Sequence, residues 1–528
     1  MKNTHLHIEN YLFFFLCAIS IFTWSTLMVD SSIAPKWYYS CVLLFVGMII
    51  LSIKKIAGRG VQINTRVFAH IIVALCTIQA LYGILKNLNI SDYLSGYRAT
   101  GSFDNPAGFA SCLSVALPFI WFFICSDNRP IFKNIYSLTA FFLIIAVCLS
   151  GSRAGIISVV ITTGWWWFGS FRIKNRTKII LFTVLLIFIG LGAYFVKKDS
   201  ADGRILIWKC SWEMVKDSPL FGHGPGGFKA HYMDYQADYL ALHSNSSYAQ
   251  LADMVQHPFN EYLLILVNYG IIGFLCLLIV IGFAVYSYFH KPTLFGKAAL
   301  CSLLALGVFS LFSYPFTYPF TWIIFIFCLY ILFHNITSSF VINRFFSKSV
   351  FVLLFSLSIW SLYKLQQRIC AEWEWKKIVS CNSKNAISSY PYLAKVLAND
   401  CYFLYNYAVV LFENDRFKES LVIARQCRDY WANYELEILL GDICKNLQMY
   451  QEAEGHYLKA SMMCPCRFHP LNFLFDLYIE IGNEERALQV AEEIIEKPIK
   501  VRSLAATQIK NKMKKTLLKS TTEEGSDK

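Results

Sequence analysis

Apolar residues fall into long uninterrupted runs over the first two thirds of this chain and into short, helix-spaced sets over the last third. Runs near 11–29, 37–53, 66–85, 106–125, 131–150, 153–171, 178–196, 260–287, 294–312, 316–335 and 349–365 predict eleven membrane-crossing helices. About 20 apolar residues in a helix cover a hydrocarbon core of roughly 30 Å, and a helix satisfies its own backbone polar groups there. The first run has a nearly uncharged start and no small-residue cleavage site after it, so it reads as a retained span rather than a signal peptide.

Composition narrows the class. The chain is 56% hydrophobic and 16% charged, with a mean hydropathy of +0.45. A soluble domain carries about 25% charged residues, so an ordinary cytosolic enzyme is excluded. The net charge of +13 is not a nucleic-acid footprint, because residues 1–365 hold 26 Lys/Arg against 13 Asp/Glu while residues 366–528 hold 22 of each. With the N-terminus cytoplasmic, the inner loops collect Lys54, Lys55, Arg59, Arg129, Lys133, Arg172, Lys174 and Arg176 among fourteen basic residues, opposed only by Asp127. The loop 197–257, with six basic and seven acidic residues, then falls outside. An odd number of spans puts the C-terminal third outside as well.

From about residue 370 the pattern becomes one of amphipathic helices with a period of 33–34 residues, in units starting near 401, 434 and 468. Leu440, Gly441, Ala453, Tyr457, Ala460 and Pro465 occupy the small and aromatic positions of a tetratricopeptide-like repeat, and Leu474, Tyr478, Gly482, Ala487, Ala491 and Pro498 follow in the next unit. Small residues at these places let paired helices approach closely; an irregular helical domain is the plainer alternative. The expected organisation is a membrane domain over 1–365, a repeat domain over 370–505 and a polar tail over 506–528. The seventeen cysteines, seven of them in the last third, follow no metal spacing and allow no pairing to be read.

Ionisable residues near membrane depth are costly and therefore candidates for function. Arg98, Arg153, Arg204 and His257 all fall on the predicted outer side, a set that suits an anionic ligand. A lone Arg at a helix end also serves as a snorkelling anchor. Arg153 stands in Ser150-Gly151-Ser152-Arg153-Ala154-Gly155, where small neighbours leave its guanidinium open to a phosphate. Ile205, Trp208, Trp212 and Val215 recur at helical spacing, which reads as a helix lying in the interface or packed on the loop itself. Gly222-His223-Gly224-Pro225-Gly226-Gly227-Phe228 fits G-x-G-x-x-G, but a helix rather than a strand precedes it, so it reads as a glycine-rich turn. Tyr232, Tyr235, Tyr239 and Tyr248 could stack on sugar rings or form an interfacial aromatic belt. His257 could accept a proton from a hydroxyl or be a structural residue at a helix start.

Thr100-Gly101-Ser102-Phe103-Asp104-Asn105-Pro106, the Ser152-Arg153-Ala154 turn, Gly203-Arg204 through Pro219-Leu220-Phe221-Gly222-His223-Gly224, and His257 to Gly273 occur in the order seen in the O-antigen ligase and polymerase superfamily. Over residues 60–335 the chain resembles that superfamily, which includes protein O-oligosaccharyltransferases; the repeat domain resembles an appendage of some members. The resemblance implies an all-α, polytopic, GT-C-like fold in a bacterial inner membrane, with its active face and C-terminal domain in the periplasm. It implies a metal-independent, inverting glycosyltransferase without cofactor, whose donor is a glycan on undecaprenyl diphosphate. The acceptor would be lipid A core, another glycan or a protein hydroxyl. Carried across, Arg153 and Arg204 hold the diphosphate and His257 is the base, with Arg98, Asn260, Glu261 and His243 as further contacts or reserves. The superfamily's usual His position, directly before Asn260, is Phe259 here. A polysaccharide export component with a docking domain is the non-enzymatic alternative; it would need polar residues at midplane and broken helices in paired halves.

Overall fold

The computed structural model describes residues 8–59, 63–88, 98–168, 176–177, 183, 198–243, 246–337, 344–381, 384–500 and 503–524. Among them it contains twenty α-helices and no strand. The chain forms two compact units: residues 1–196, 259–262 and 275–382 make the first, and 197–258, 263–274 and 383–528 the second.

The first unit is a bundle of apolar helices: α1 (Ile8–Phe22), α2 (Ile33–Ile56), α3 (Thr65–Leu88), α4 (Pro106–Ser126), α5 (Pro130–Leu149) and α6 (Arg153–Trp167). It is completed by the two ends of α9 (Glu261–His290) and by α10 (Leu294–Ser310), α11 (Pro319–Thr337) and α12 (Arg344–Cys381). Six of these, α2, α3, α4, α5, α9 and α12, are long and apolar enough to cross a membrane, while Ile8–Phe22, Leu294–Ser310 and Pro319–His334 are shorter apolar helices. The chain is therefore a multi-pass membrane protein. The run near 178–196 lies outside the described residues except for position 183. Two expected boundaries move: α1 ends at Phe22 rather than 29, and α12 continues 38 residues without a break through the composition change near 365–370.

Helix α4 is the core of the bundle, buried from Gly108 to Ile120. Gly108, Ala110, Ser111, Ser114 and Ala116 keep its surface thin, as close helix approach without a hydrophobic driving force requires. A Cβ on Gly108 would meet the Tyr318 ring at 2.4 Å, and one on Gly155 would meet Ala110 at 2.8 Å. Ser302 and Ser158 hydroxyls donate across the bundle to Val115 O (2.7 Å) and Ala305 O (2.9 Å).

The second unit joins the long loop to the C-terminal helices. The loop folds as α7 (Lys198–Asp217) and α8 (Gly227–Leu242). The C-terminal part is α13 (Tyr390–Leu397), α14 (Cys401–Phe412), α15 (Phe417–Arg428), α16 (Tyr434–Asn446), α17 (Tyr450–Met463), α18 (His469–Glu480), α19 (Glu484–Glu496) and α20 (Leu504–Glu524). The sequence period recurs in the backbone. Asp415, Gln448 and Gly482 adopt φ of 58°, 61° and 73°. At each, the next residue's N–H reaches back to a carbonyl, Arg416 to Leu411, Met449 to Cys444 and Asn483 to Tyr478, at 3.0, 2.9 and 2.8 Å. This left-handed residue closes a helix and satisfies its last carbonyls, and it turns each helix back onto its partner. Gly441 makes room for Tyr457, whose ring would lie 2.4 Å from a Cβ there.

Candidate functional site

In the first unit, polar residues gather at one end of the bundle. Gly101 takes φ +55°, and a Cβ on it would fall 2.2 Å from Gln79 Nε2, so the position requires glycine on both counts. Asn105 caps α4 by accepting from Gly108 N–H at 2.8 Å, and Pro106 opens the helix. Tyr318 donates to Asp104 Oδ1 at 2.5 Å and accepts from Asn105 Nδ2 at 2.7 Å. The Thr100–Pro106 motif is thus chiefly a cap that locks the start of α4. A cavity of about 670 Å³ beside it is lined by Phe22, Tyr82, Lys86, Phe103 and Asp104 among others.

At the same end, Gly151 takes φ +60°, and a Cβ on it would lie 3.2 Å from Arg98 Cδ. The missing side chain lets Arg98 lie over the turn that carries Arg153, and Ser152 caps α6 through Gly155 N–H at 3.3 Å. The structure therefore brings Arg98 and Arg153 together on one turn, where two cations favour an anionic partner. Glu261 is buried and accepts from Phe316 N–H at 3.1 Å, so it anchors the 315–317 turn. Phe259, in the expected His position, has φ +53° and packs its ring 5.4 Å from that of Tyr314. A bulky residue in the left-handed region is uncommon and marks a constrained turn.

In the second unit, the glycine-rich segment is sewn into a break in α9. Gly270 leaves helical geometry at φ +63°, ψ −165°. His223 N–H donates to Val267 O (2.8 Å) and Gly224 N–H to Asn268 O (2.9 Å), while Ile271 N–H donates to Pro219 O (2.8 Å). Asn268 Oδ1 accepts from Phe228 N–H at 3.0 Å. The turn thus replaces the hydrogen bonds the helix loses, the condition under which irregular backbone persists at membrane depth. Glycine is needed on both sides: a Cβ on Gly222 would lie 2.5 Å from the Asn268 carbonyl carbon, and one on Gly270 2.2 Å from Leu220 O.

Arg204 lies inside α7, which begins at Lys198 rather than after it. One turn on, Trp208 Nε1 donates to Pro258 O at 2.9 Å. Residues four apart share a helix face, so the face of α7 that bears Arg204 is turned to the His257-Pro258 turn. The buried face of α7 is Leu206, Ile207, Cys210, Ser211, Met214 and Val215, so of the 205-208-212-215 set only Val215 is buried. Ile205 and Trp212 are exposed, as are Leu220 and Phe221, so the helix packs on its loop by one face and presents apolar residues on another. His257 is half-buried, and its imidazole is lowered to about 4 by burial and by the Lys229 charge.

The remaining candidates divide. His243 Nδ1 donates to Tyr239 O at 2.8 Å on the exposed end of α8, remote in sequence from the 257–261 turn. Asn260 is half-buried between His257 and Glu261. Tyr232 is fully buried with its hydroxyl on Gln236 (2.8 Å), so it is core rather than a sugar platform. Tyr235, Tyr239 and Tyr248 are half-buried, and Lys209 Nζ sits 4.8 Å over Tyr248. Among the described residues one set of metal-capable donors, Cys444, Glu452 and His456, lies within 4.8 Å. Arg425 pairs with Glu452 and Glu437 with His456, at 2.8 and 2.7 Å. Lys229, Gln256 and Tyr402 carried no sequence signal, since their importance lies in contacts between segments far apart in the chain.

Fold and site together define a multi-pass membrane protein whose extramembrane loop is built into one broken span. A family model described as O-antigen ligase matches residues 138–278, the stretch that holds Arg153, Arg204, His257 and Gly270. The match supports a glycan-transfer function in O-antigen or polysaccharide assembly. No curated protein matches the chain.

Proposed function

We propose that this protein is a periplasm-facing glycosyltransferase of the O-antigen ligase type, moving a glycan from a polyprenyl diphosphate to an acceptor hydroxyl. The observation that carries the reading is the O-antigen ligase match over residues 138–278, which spans Arg153, Arg204 and His257. Arg153 and Arg204 hold the diphosphate, and Arg98 adds to the positive field at Arg153. Fixed guanidinium groups that neutralise the departing diphosphate lower the barrier without reorganisation. His257 is neutral at pH 7 and takes the proton of the acceptor hydroxyl, whose oxygen attacks the anomeric carbon as the bond to the diphosphate breaks. The donor's negative charge raises the proton affinity of the imidazole when it binds, which suits a base otherwise held near 4.

The membrane side is supported by topology. Residues 198–258 and the C-terminal helices form one compact unit, so they share one side of the bilayer. Four helices, α9 to α12, lie between them, and an even number of crossings returns the chain to its starting side. The recurring left-handed caps at Asp415, Gln448 and Gly482 support a tetratricopeptide-like reading of the C-terminal domain.

The test is the glycan profile of cells carrying His257→Ala against wild type and a deletion strain, with membrane levels measured. Loss equal to the deletion at normal level supports the enzyme, and the glycan class that disappears names the acceptor. Wild-type glycans would sink the assignment of the base.

A further inference from the structure

The segment that ends in His257 is walled along its length by the C-terminal helices. Arg467 pairs with Asp253 at 2.8 Å, Cys466 Sγ donates to Ala252 O at 3.3 Å, and Gln236 Nε2 bridges Asp253 O (3.2 Å) and Met463 O (2.7 Å). Asn433 Nδ2 reaches Met254 Sδ at 3.5 Å. The contact nearest His257 comes from Tyr402 of α14, whose hydroxyl donates to Gln256 Oε1 at 2.9 Å.

The same tyrosine also grips α8. Lys229 Nζ lies 4.0 Å over the Tyr402 ring and 5.8 Å from that of Trp431, and Lys229 O accepts from Ala432 N–H at 3.1 Å. Arg428 donates to Asp234 and to Ala230 O (3.3 Å), and its Nε pairs with the buried Glu437 at 2.7 Å. A cation on an aromatic face is worth more when both are partly desolvated. Lys229 is half-buried and Trp431 buried. The charge of Lys229 also acts on His257. Tyr402 therefore touches both Gln256, the residue before His257, and Lys229, whose charge acts on the imidazole.

We propose that Tyr402 is a positioning residue for the transfer reaction: the repeat domain is a built-in wall of the active site that sets the 252–258 segment and Lys229 around His257. This rests on the reading of His257 as the base. A free adaptor domain would need no such seam, and the seam joins five separate stretches of sequence. An active site misplaced by about 1 Å can lose on the order of 100-fold in rate, so loosening the seam is expected to act on turnover rather than on donor binding.

The experiment uses the full chain in proteoliposomes with a polyprenyl-diphosphate glycan donor. It compares Tyr402→Ala, Tyr402→Phe, Gln256→Ala and His257→Ala at matched membrane levels. Tyr402→Ala is expected to lower kcat about 10-fold or more with donor KM unchanged, and Tyr402→Phe, which keeps the ring under Lys229 but loses the bond to Gln256, to recover only part of that loss. Gln256→Ala, at an exposed position outside the repeat, is expected to match Tyr402→Phe, whether or not Tyr402→Ala assembles. Wild-type kcat in both Gln256→Ala and Tyr402→Ala would overturn the proposal, as would a Tyr402→Phe as poor as Tyr402→Ala combined with a raised KM. If His257→Ala keeps its activity while Tyr402→Ala loses it, the base assignment fails and the role of Tyr402 in holding the segment stands.

Discussion

The His223 amide donates to the Val267 carbonyl at 2.8 Å, joining the glycine-rich turn of the long loop to the broken span α9. That bond and its neighbours make the loop a structural part of the span. The loop's two helices, and with them Arg204 and the His257 turn, are placed by this joint rather than by loop conformation alone.

Gly270→Ala and Gly222→Ala are expected to abolish product and to lower the melting temperature of the purified chain. Each sits at positive φ, and each new Cβ meets backbone at 2.2 or 2.5 Å that has no room to move. The backbone strain alone costs about 1–3 kcal/mol. Gly224→Ala, at φ +84° but in open space, should show only the strain. Gly203→Ala, inside α7 with nothing nearby, should be neutral or stabilise by about 0.5–1 kcal/mol. Equal effects at all four positions would remove the joint from the explanation.

Arg153→Ala and Arg204→Ala should each lower the transfer rate by about 100- to 1,000-fold, the range seen when one transition-state donor is lost. Arg153→Lys should recover only part, because an ammonium cannot match two phosphate oxygens at once. Arg98→Ala should be milder. Rates measured with a defined lipid-linked donor decide; unaffected Arg153 and Arg204 variants would leave the diphosphate without its partners.

The pH dependence follows from His257. Its imidazole is lowered to about 4 from 6.5, first by burial and then by Lys229. Below about 4 it is protonated and cannot act as a base, so the acid limb of kcat/KM is expected near 4 instead of 6.5. Lys229 of α8 is the charge that acts on it, and Lys229 is bordered by Cys401 and Tyr402 of α14. Lys229→Met removes that charge and should move the limb upward. The same shift makes a stability term that is whole above 6.5 and is lost as the pH falls towards 4, where the unfolded His binds a proton the folded one refuses.

In the repeat helices, Gln448→Gly should raise the melting temperature. Gln448 holds φ 61° where the next unit has Gly482, and an L-residue there costs roughly 1–2 kcal/mol. Gly441→Ala should lower the melting temperature, since its Cβ would lie 2.4 Å from the Tyr457 ring; overpacking of this kind costs about 1–3 kcal/mol.

Much was legible in the sequence because it depends on neighbours along the chain. Among the described residues, six of the apolar runs correspond to helices long and apolar enough to cross a membrane, since a span's length is fixed by the bilayer. The 33–34-residue period reappears as left-handed caps at Asp415, Gln448 and Gly482. The expected span starts at 106 and 153 coincide with the starts of α4 and α6, where Asn105 and Ser152 cap the helix by a contact over three residues. Which face α7 buries against protein was left open by the sequence, because Ile205 and Trp212 are apolar yet exposed, and hydrophobicity alone does not say which apolar face a helix buries. Only the tertiary structure decided that Gly222 and Gly270 serve one joint, that Arg98 lies over the turn of Arg153, and that Tyr402 meets both Gln256 and Lys229. These are meetings of residues dozens to more than a hundred positions apart. Steric fit, burial and the field of a distant charge create them, and none of these leaves a local pattern to read.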